Sequence, residues 1–193
     1  MSKHMDWAMD QVGTMENREN EIKYNDQYYH AHLWGSNYPW CVVFVQRAFE
    51  AAGNPLPVRT ASTAALLDWF RHNRPDCVHS DPRPGDIAIY AGHTGLVYEV
   101  AWDGSGRYVG IEGNYSNRVA YTNRRKSEAQ AFIAWPEDDG RMHKVEDVPS
   151  WGKPIIQRLI DRDILRGSDG DYDLSQDMLR VIVMLDRAGA FGK

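Results

Sequence analysis

Cys41 follows an aromatic residue and opens the apolar run Val42-Val43-Phe44-Val45, within Tyr38-Pro39-Trp40-Cys41-Val42. That run reads as a helix and puts a thiol at its N-terminus. The positive end of a helix dipole favours thiolate over thiol, and thiolate is the form that attacks a carbonyl carbon. Two polar sites follow in chain order: His93 in Gly92-His93-Thr94-Gly95, and Glu112 with Asn114 in Ile111-Glu112-Gly113-Asn114. A cysteine, a later histidine and a group to orient the imidazole are the parts of a cysteine hydrolase. In this reading Cys41 is the nucleophile, and His93 is its general base and then the acid for the leaving amine. Glu112 holds the ring and stabilises imidazolium. Asn114, two residues on and so on the same strand face, bonds the same histidine or polarises the substrate carbonyl. Either Glu112 or Asn114 could be the primary partner of His93. The backbone N–H of Cys41 is the natural oxyanion donor. Taken singly, each residue has an ordinary alternative: a structural thiol, a solvated turn histidine, a surface glutamate. Their order and flanks together favour catalysis.

The elements that must position these groups are readable from periodicity. Residues 3–12 have helical spacing, with Met5, Met9 and Val12 on one face. Residues 19–39 read as an irregular polar-aromatic loop. Within and beside it Tyr24, Trp34 and Trp40 are the expected walls of a substrate cleft. A helix is predicted from Trp40 to Gly53 and another from Thr60 to His72, capped by Thr60 or Ser62. Short β-rich runs follow the turn Pro84-Gly85-Asp86: Ile87 to Tyr90, Leu96 to Trp102, Tyr108 to Glu112, Val119 to Tyr121 and Ala131 to Trp135. Helices first and strands after predict an α+β domain with an antiparallel sheet, over residues 1–138. A linker is expected at 139–146. Residues 147–193 read as a helix-loop-helix unit. One helical face carries Trp151, Ile155, Ile156, Leu159 and Ile160, and the other Met178, Leu179, Ile182, Val183 and Leu185. So small a unit cannot bury both faces alone, so it is expected to pack on the main domain or on another copy.

Composition narrows the class. The chain has 193 residues, 42% of them hydrophobic and 25% charged, with a formal net charge of −5. No basic patch interleaves with aromatics, so nucleic acid is not an expected partner. Arg124-Arg125-Lys126 reads as a solvated turn. The N-terminus lacks the apolar segment of a signal peptide, and no stretch reaches the length of a membrane span. The expectation is a chain made as a soluble cytoplasmic protein and released by other means, with no membrane partner. Cys41 and Cys77 are too few for a disulfide framework, and a bridge between them would silence the nucleophile. Cys77 reads as a partly buried thiol. His30 and His32 have no third ligand at metal-binding spacing. Asp169 to Asp173 fails the calcium-loop pattern, because position six is Leu174 and position twelve Arg180.

At Tyr38-Pro39-Trp40-Cys41-Val42-Val43-Phe44-Val45, Pro84-Gly85-Asp86-Ile87-Ala88-Ile89-Tyr90, Gly92-His93-Thr94-Gly95-Leu96-Val97 and Ile111-Glu112-Gly113-Asn114 the chain resembles the CHAP family. These are the cysteine, histidine-dependent amidohydrolases/peptidases of the papain-like superfamily. Lys23-Tyr24-Asn25 is similar to the family's pre-nucleophile segment. The resemblance covers about Met5 to Trp135. It implies a papain-like fold, hydrolysis of peptidoglycan amide bonds, and Cys41, His93, Glu112 and Asn114 as the catalytic set. Some members hold calcium near the catalytic loop. No acidic cluster precedes Cys41 here, so no cofactor is expected, calcium being the one metal the resemblance allows. A catalytic domain with a small appendage and no signal resembles a phage endolysin, which reaches the wall once the membrane is permeabilised. The tail from Asp147 to Gly189 is similar to a single S-layer homology motif. It departs at Ser175-Gln176-Asp177, where that family has a Thr-Arg-Ala-Glu-like start. A wall-binding unit and a homo-oligomerising one are both open. Two rivals remain: a toxin-type cysteine amidase or transferase on the same fold, and a non-catalytic wall-binding module.

Overall fold

Val42 to Val45, Ala48 and Phe49 are fully buried, and this apolar run forms a helix, α3 (Cys41–Ala51). A helix apolar nearly all round belongs in a core, and the rest of the catalytic-side structure is arranged about it. The computed structural model describes residues 2–136, 142, 144–167 and 171–192. It divides into two compact units, Met1–Glu137 and Asp138–Lys193.

In the first unit three further helices accompany α3: α1 (Lys3–Asp10), α2 (Lys23–Tyr29) and α4 (Thr63–Asn73). α1 packs on α3. There the buried His4 stacks on Phe49 at 4.1 Å and donates from Nε2 to the Gly85 carbonyl at 2.9 Å. α2 lies where an irregular loop was expected. It has only seven residues, too short for a repeating pattern, and is stabilised by burying Tyr24 and Tyr28, one turn apart. Ser62 is the cap of α4, its hydroxyl accepting from the Ala65 N–H at 3.3 Å.

The strands are β1 (Val78–His79), β2 (Ile87–Tyr90), β3 (His93–Val100), β4 (Arg107–Tyr115), β5 (Arg118–Arg125) and β6 (Ala131–Ile133). They form one sheet in the order β1-β6-β2-β3-β4-β5, with every neighbouring pair antiparallel. β1 escaped sequence detection because two residues carry no alternation. β3 starts at His93 itself. β5 runs through Arg124 and Arg125, so the expected basic turn is strand. Ile87, Ile89, Leu96, Ile111, Val119, Ala131 and Ile133 join the helices in the main core. The opposite face carries Ala88, Tyr90, Val97, Val100, Tyr108 and Phe132.

The second unit holds α5 (Lys153–Asp161) and α6 (Gln176–Arg187). Met142, Val148, Ile156, Leu174, Leu179 and Val183 form its core. Ser175 caps α6, its hydroxyl accepting from the Met178 N–H at 3.1 Å. Met178 and Leu185 were expected on the buried face of this helix but are exposed. Of the expected linker, residues 139–141 and 143 lie outside the described residues. So do residues 168–170, which include the start of the acidic turn.

Gly113 sets how closely β4 approaches α3. A Cβ there would collide with Phe44 and Trp40, the residues on either side of Cys41 in this contact. Gly113→Ala is therefore expected to cost about 1–3 kcal/mol through overpacking. The check is a lower urea midpoint at unchanged slope.

Candidate active site

Cys41 is the first residue of α3, so its N–H has no acceptor within the helix and is available to a ligand. The thiol is free and 5% exposed. The segment before it is held from several sides. Trp40 donates from Nε1 to Glu16 Oε2 at 2.8 Å. Asn25 Nδ2 donates to the Tyr38 carbonyl at 2.9 Å and to the Asn20 carbonyl at 2.8 Å. Asn25 is fully buried. Sequence reading gave it no role, and its only signal was its place in Lys23-Tyr24-Asn25.

His93, at the start of β3, donates from Nε2 to Glu112 Oε2 at 2.8 Å. Nδ1 is then the ring nitrogen left for Cys41, whose side chain interacts with this imidazole. The ring stacks on Tyr90 with centroids 5.9 Å apart and planes 16° from parallel.

Glu112 is the most enclosed group of the site, fully buried on β4. Its carboxylate meets Arg124 as a fork: Nε donates to Oε1 and Nη2 to Oε2, each at 2.7 Å. Thr122 Oγ1 donates to Oε1 at 2.6 Å, and Tyr90 OH donates to the same oxygen at 3.3 Å. The Tyr90 and Tyr108 hydroxyls share a hydrogen bond of 2.8 Å. The Arg124 guanidinium also lies over the Tyr90 ring, 4.6 Å from its centroid. Register explains the gathering. Tyr108 pairs with Arg124, Gly110 with Thr122 and Glu112 with Ala120, so Glu112, Thr122 and Arg124 share one face of the sheet. Gly95 and Gly110 leave that face bare: a Cβ on Gly95 would strike Glu112 Cγ, and one on Gly110 would crowd Thr122 Oγ1.

The electrostatics follow from these contacts. Burial pushes the Glu112 carboxyl up, but hydrogen bonds from Arg124, His93 and Thr122 outweigh it and hold the group down at about 2. Burial works against a charged His93, yet its interactions with Cys41 and Glu112 raise it to about 9. These contacts favour the protonated ring over the neutral one. The burial of Tyr90 raises its hydroxyl strongly, and that of Tyr108 lifts its phenol to about 12.

The other expected residues fall differently. Asn114 does not share the face of Glu112. A register shift lies between Glu112 and Tyr115, and Asn114 adopts φ +58°, which breaks strand alternation. Its amide donates to Asn20 Oδ1 at 3.3 Å, tying the end of β4 to the loop before Cys41. Asn20 in turn donates to the Gly35 carbonyl at 3.0 Å. Tyr24 and Trp40 are 0% exposed and cannot wall a cleft. They pack with Phe44 and each other behind the nucleophile, with Tyr24 5.5 Å from Trp40 and 5.6 Å from Phe44, because large aromatic surfaces are most stable inside. Trp34 is 49% exposed, with the Arg18 guanidinium 4.0 Å over its ring. Cys77 is buried and free. Among the described residues no group of three or more His, Cys, Asp or Glu is placed to hold a metal ion. Among the described residues no helix is long and apolar enough to cross a membrane.

A cysteine at a helix start, beside a histidine-carboxylate pair on an antiparallel sheet, is the geometry that a cysteine hydrolase requires. Residues 33–114 match the family model of the CHAP domain. CHAP domains are typically hydrolases. No curated protein and no solved structure matches the chain. Cys41, His93, Glu112 and Asn114 lie inside the matched range, whereas Thr122 and Arg124 lie beyond it.

The two shifted groups set opposite arms of a stability profile. Glu112 falls from 4.5 to about 2 on folding, so its contribution is present above pH 4.5 and lost as pH drops through about 2. His93 rises from 6.5 to about 9, so its contribution is complete below pH 6.5 and lost as pH climbs through about 9. Urea midpoints measured across pH are expected to be highest between these limits, and Glu112→Gln is expected to remove its share of the acid arm.

Proposed function

We propose that this protein is a peptidoglycan amide hydrolase with Cys41 as nucleophile. It would cut either the N-acetylmuramoyl-L-alanine amide or a bond within the stem peptide or cross-bridge. The observation that carries the reading is the chain Cys41, His93, Glu112, Arg124, in which the imidazole that interacts with the Cys41 side chain donates to Glu112 at 2.8 Å and Arg124 forks onto the same carboxylate at 2.7 Å.

The chemistry begins with attack by the Cys41 thiolate on the amide carbonyl carbon. The free Cys41 N–H donates to the developing oxyanion. The imidazolium of His93 gives its proton to the leaving nitrogen, the C–N bond breaks and a thioester remains. Neutral His93 then takes a proton from water, whose oxygen attacks the thioester. Collapse releases the acid and restores the thiolate-imidazolium pair. His93 is thus the base that takes the Cys41 proton and then the acid that gives it to the leaving nitrogen, the two roles that the sequence suggested. Trp34 is the exposed aromatic proposed to meet substrate. A papain-like arrangement, a phage endolysin setting, and wall binding or self-association by the C-terminal helix pair belong to the same proposal. The last draws on the exposed apolar residues Met178, Val181, Met184 and Leu185 of α6.

Purified cell walls from several Gram-positive species, treated with wild type, Cys41→Ser and His93→Gln, test the reading. Wild type is expected to clear them and release new amino groups that mass spectrometry assigns to one bond. The variants are expected to lose on the order of 10³-fold or more in rate. Clearing by Cys41→Ser would remove the thiol from the mechanism, and wall binding without cleavage would point to a binding module. The rate is expected to fall as pH rises through about 9, where His93 loses the proton that it must donate.

A further inference from the structure

Arg124 lies outside the matched range, in a segment whose sequence suggested only a solvated turn. Its guanidinium instead spends both Nε and Nη2 on Glu112, at 2.7 Å each, and Nη1 on Glu128 Oε2 at 3.1 Å. Its ring neighbours are Tyr90 at 4.6 Å and Tyr115 at 5.4 Å. Among the described residues the groups hydrogen-bonded to the Glu112 carboxylate are Arg124 and Thr122 from β5, Tyr90 from β2 and His93 from β3. Arg124 is the permanent cation among them. A planar fork on a carboxylate fixes its rotation as well as its charge, which a lysine ammonium cannot do. Glu112 Oε2 accepts from both Arg124 and His93, so the plane set by the fork is the plane that orients the imidazole toward Cys41.

We propose that Arg124 is a positioning residue of the catalytic site, which acts through Glu112 to fix the orientation and the proton affinity of His93. This rests on Cys41, His93 and Glu112 being the catalytic set. When His93 is protonated, Glu112 has two cationic partners. When His93 is neutral, Arg124 alone compensates the buried charge. Removing Arg124 therefore makes loss of the His93 proton less favourable and protonation of Glu112 more favourable. Both titrations move to higher pH, the direction expected on removing any nearby positive charge. Charge alone would be supplied equally by a lysine, so a loss of kcat in Arg124→Lys at an unmoved His93 midpoint separates positioning through the fork from the bare charge.

The test is an imidazole NMR titration of the full chain, with the His93 signal assigned by its loss in His93→Gln, alongside wall-hydrolysis kinetics. Arg124→Gln is expected to raise the His93 midpoint from about 9 by roughly one unit or more, given a charge a few ångströms away. The kcat of this variant is expected to fall roughly tenfold or more at little change in KM. Arg124→Lys keeps the charge and loses the fork. It is expected to leave the midpoint near that of wild type while lowering kcat several-fold, and it carries the test if Arg124→Gln fails to fold. Arg125→Gln, the adjacent cation, is expected to change neither reading. An unmoved His93 midpoint in folded Arg124→Gln, full kcat in Arg124→Lys, or an equal shift from Arg125→Gln would overturn the assignment. The titration reads Arg124 even if no wall is cut, so failure of the hydrolase reading and failure of this one are separable.

Discussion

A carboxylate with no exposure to water is the constraint on which the sheet's polar face depends. Desolvating a charge is costly enough that it persists only when paired and fully hydrogen-bonded. Glu112 meets that demand from three strands besides its own, with Arg124 and Thr122 from β5, His93 from β3 and Tyr90 from β2. Each donor reaches it only if the antiparallel register is kept, since a slip of one residue would turn each side chain to the other face. The bare patches at Gly95 and Gly110 serve the same end, because side chains there would occupy the space of the carboxylate and of Thr122. The arrangement that keeps the buried charge stable also orients the His93 imidazole, which donates to Glu112 Oε2.

The second requirement is that the thiol meet that imidazole. Cys41 belongs to a helix and His93 to a sheet, so the distance between them is set by how closely α3 lies on β4. Gly113 permits the close approach to Phe44 and Trp40. Tyr24, Trp40 and Phe44 then pack as one aromatic group behind the nucleophile. These rings position Cys41 by filling the core, which is a different service from contacting substrate. Asparagines complete the fastening: Asn25 holds the Tyr38 carbonyl, and Asn114 reaches Asn20 across the fold.

The sequence by itself determined the order helices then sheet, the apolar nucleophile helix, and the candidates Cys41, His93 and Glu112. Those features are local: an apolar run, a glycine-flanked histidine and short alternating strands are written in adjacent residues. Boundaries were legible where alternation was clear, as at β2, and not where an element was too short to repeat, as at α2 and β1. The tertiary structure alone decided the rest. Which aromatics lie inside is a property of packing, so Tyr24 and Trp40 could not be told from Trp34 by type. The bulge after Glu112 removed Asn114 from the face that simple alternation assigned to it. Arg124 is twelve positions from Glu112 in the chain and beside it in space. Only strand pairing makes that contact, and no spacing rule within a single strand encodes it.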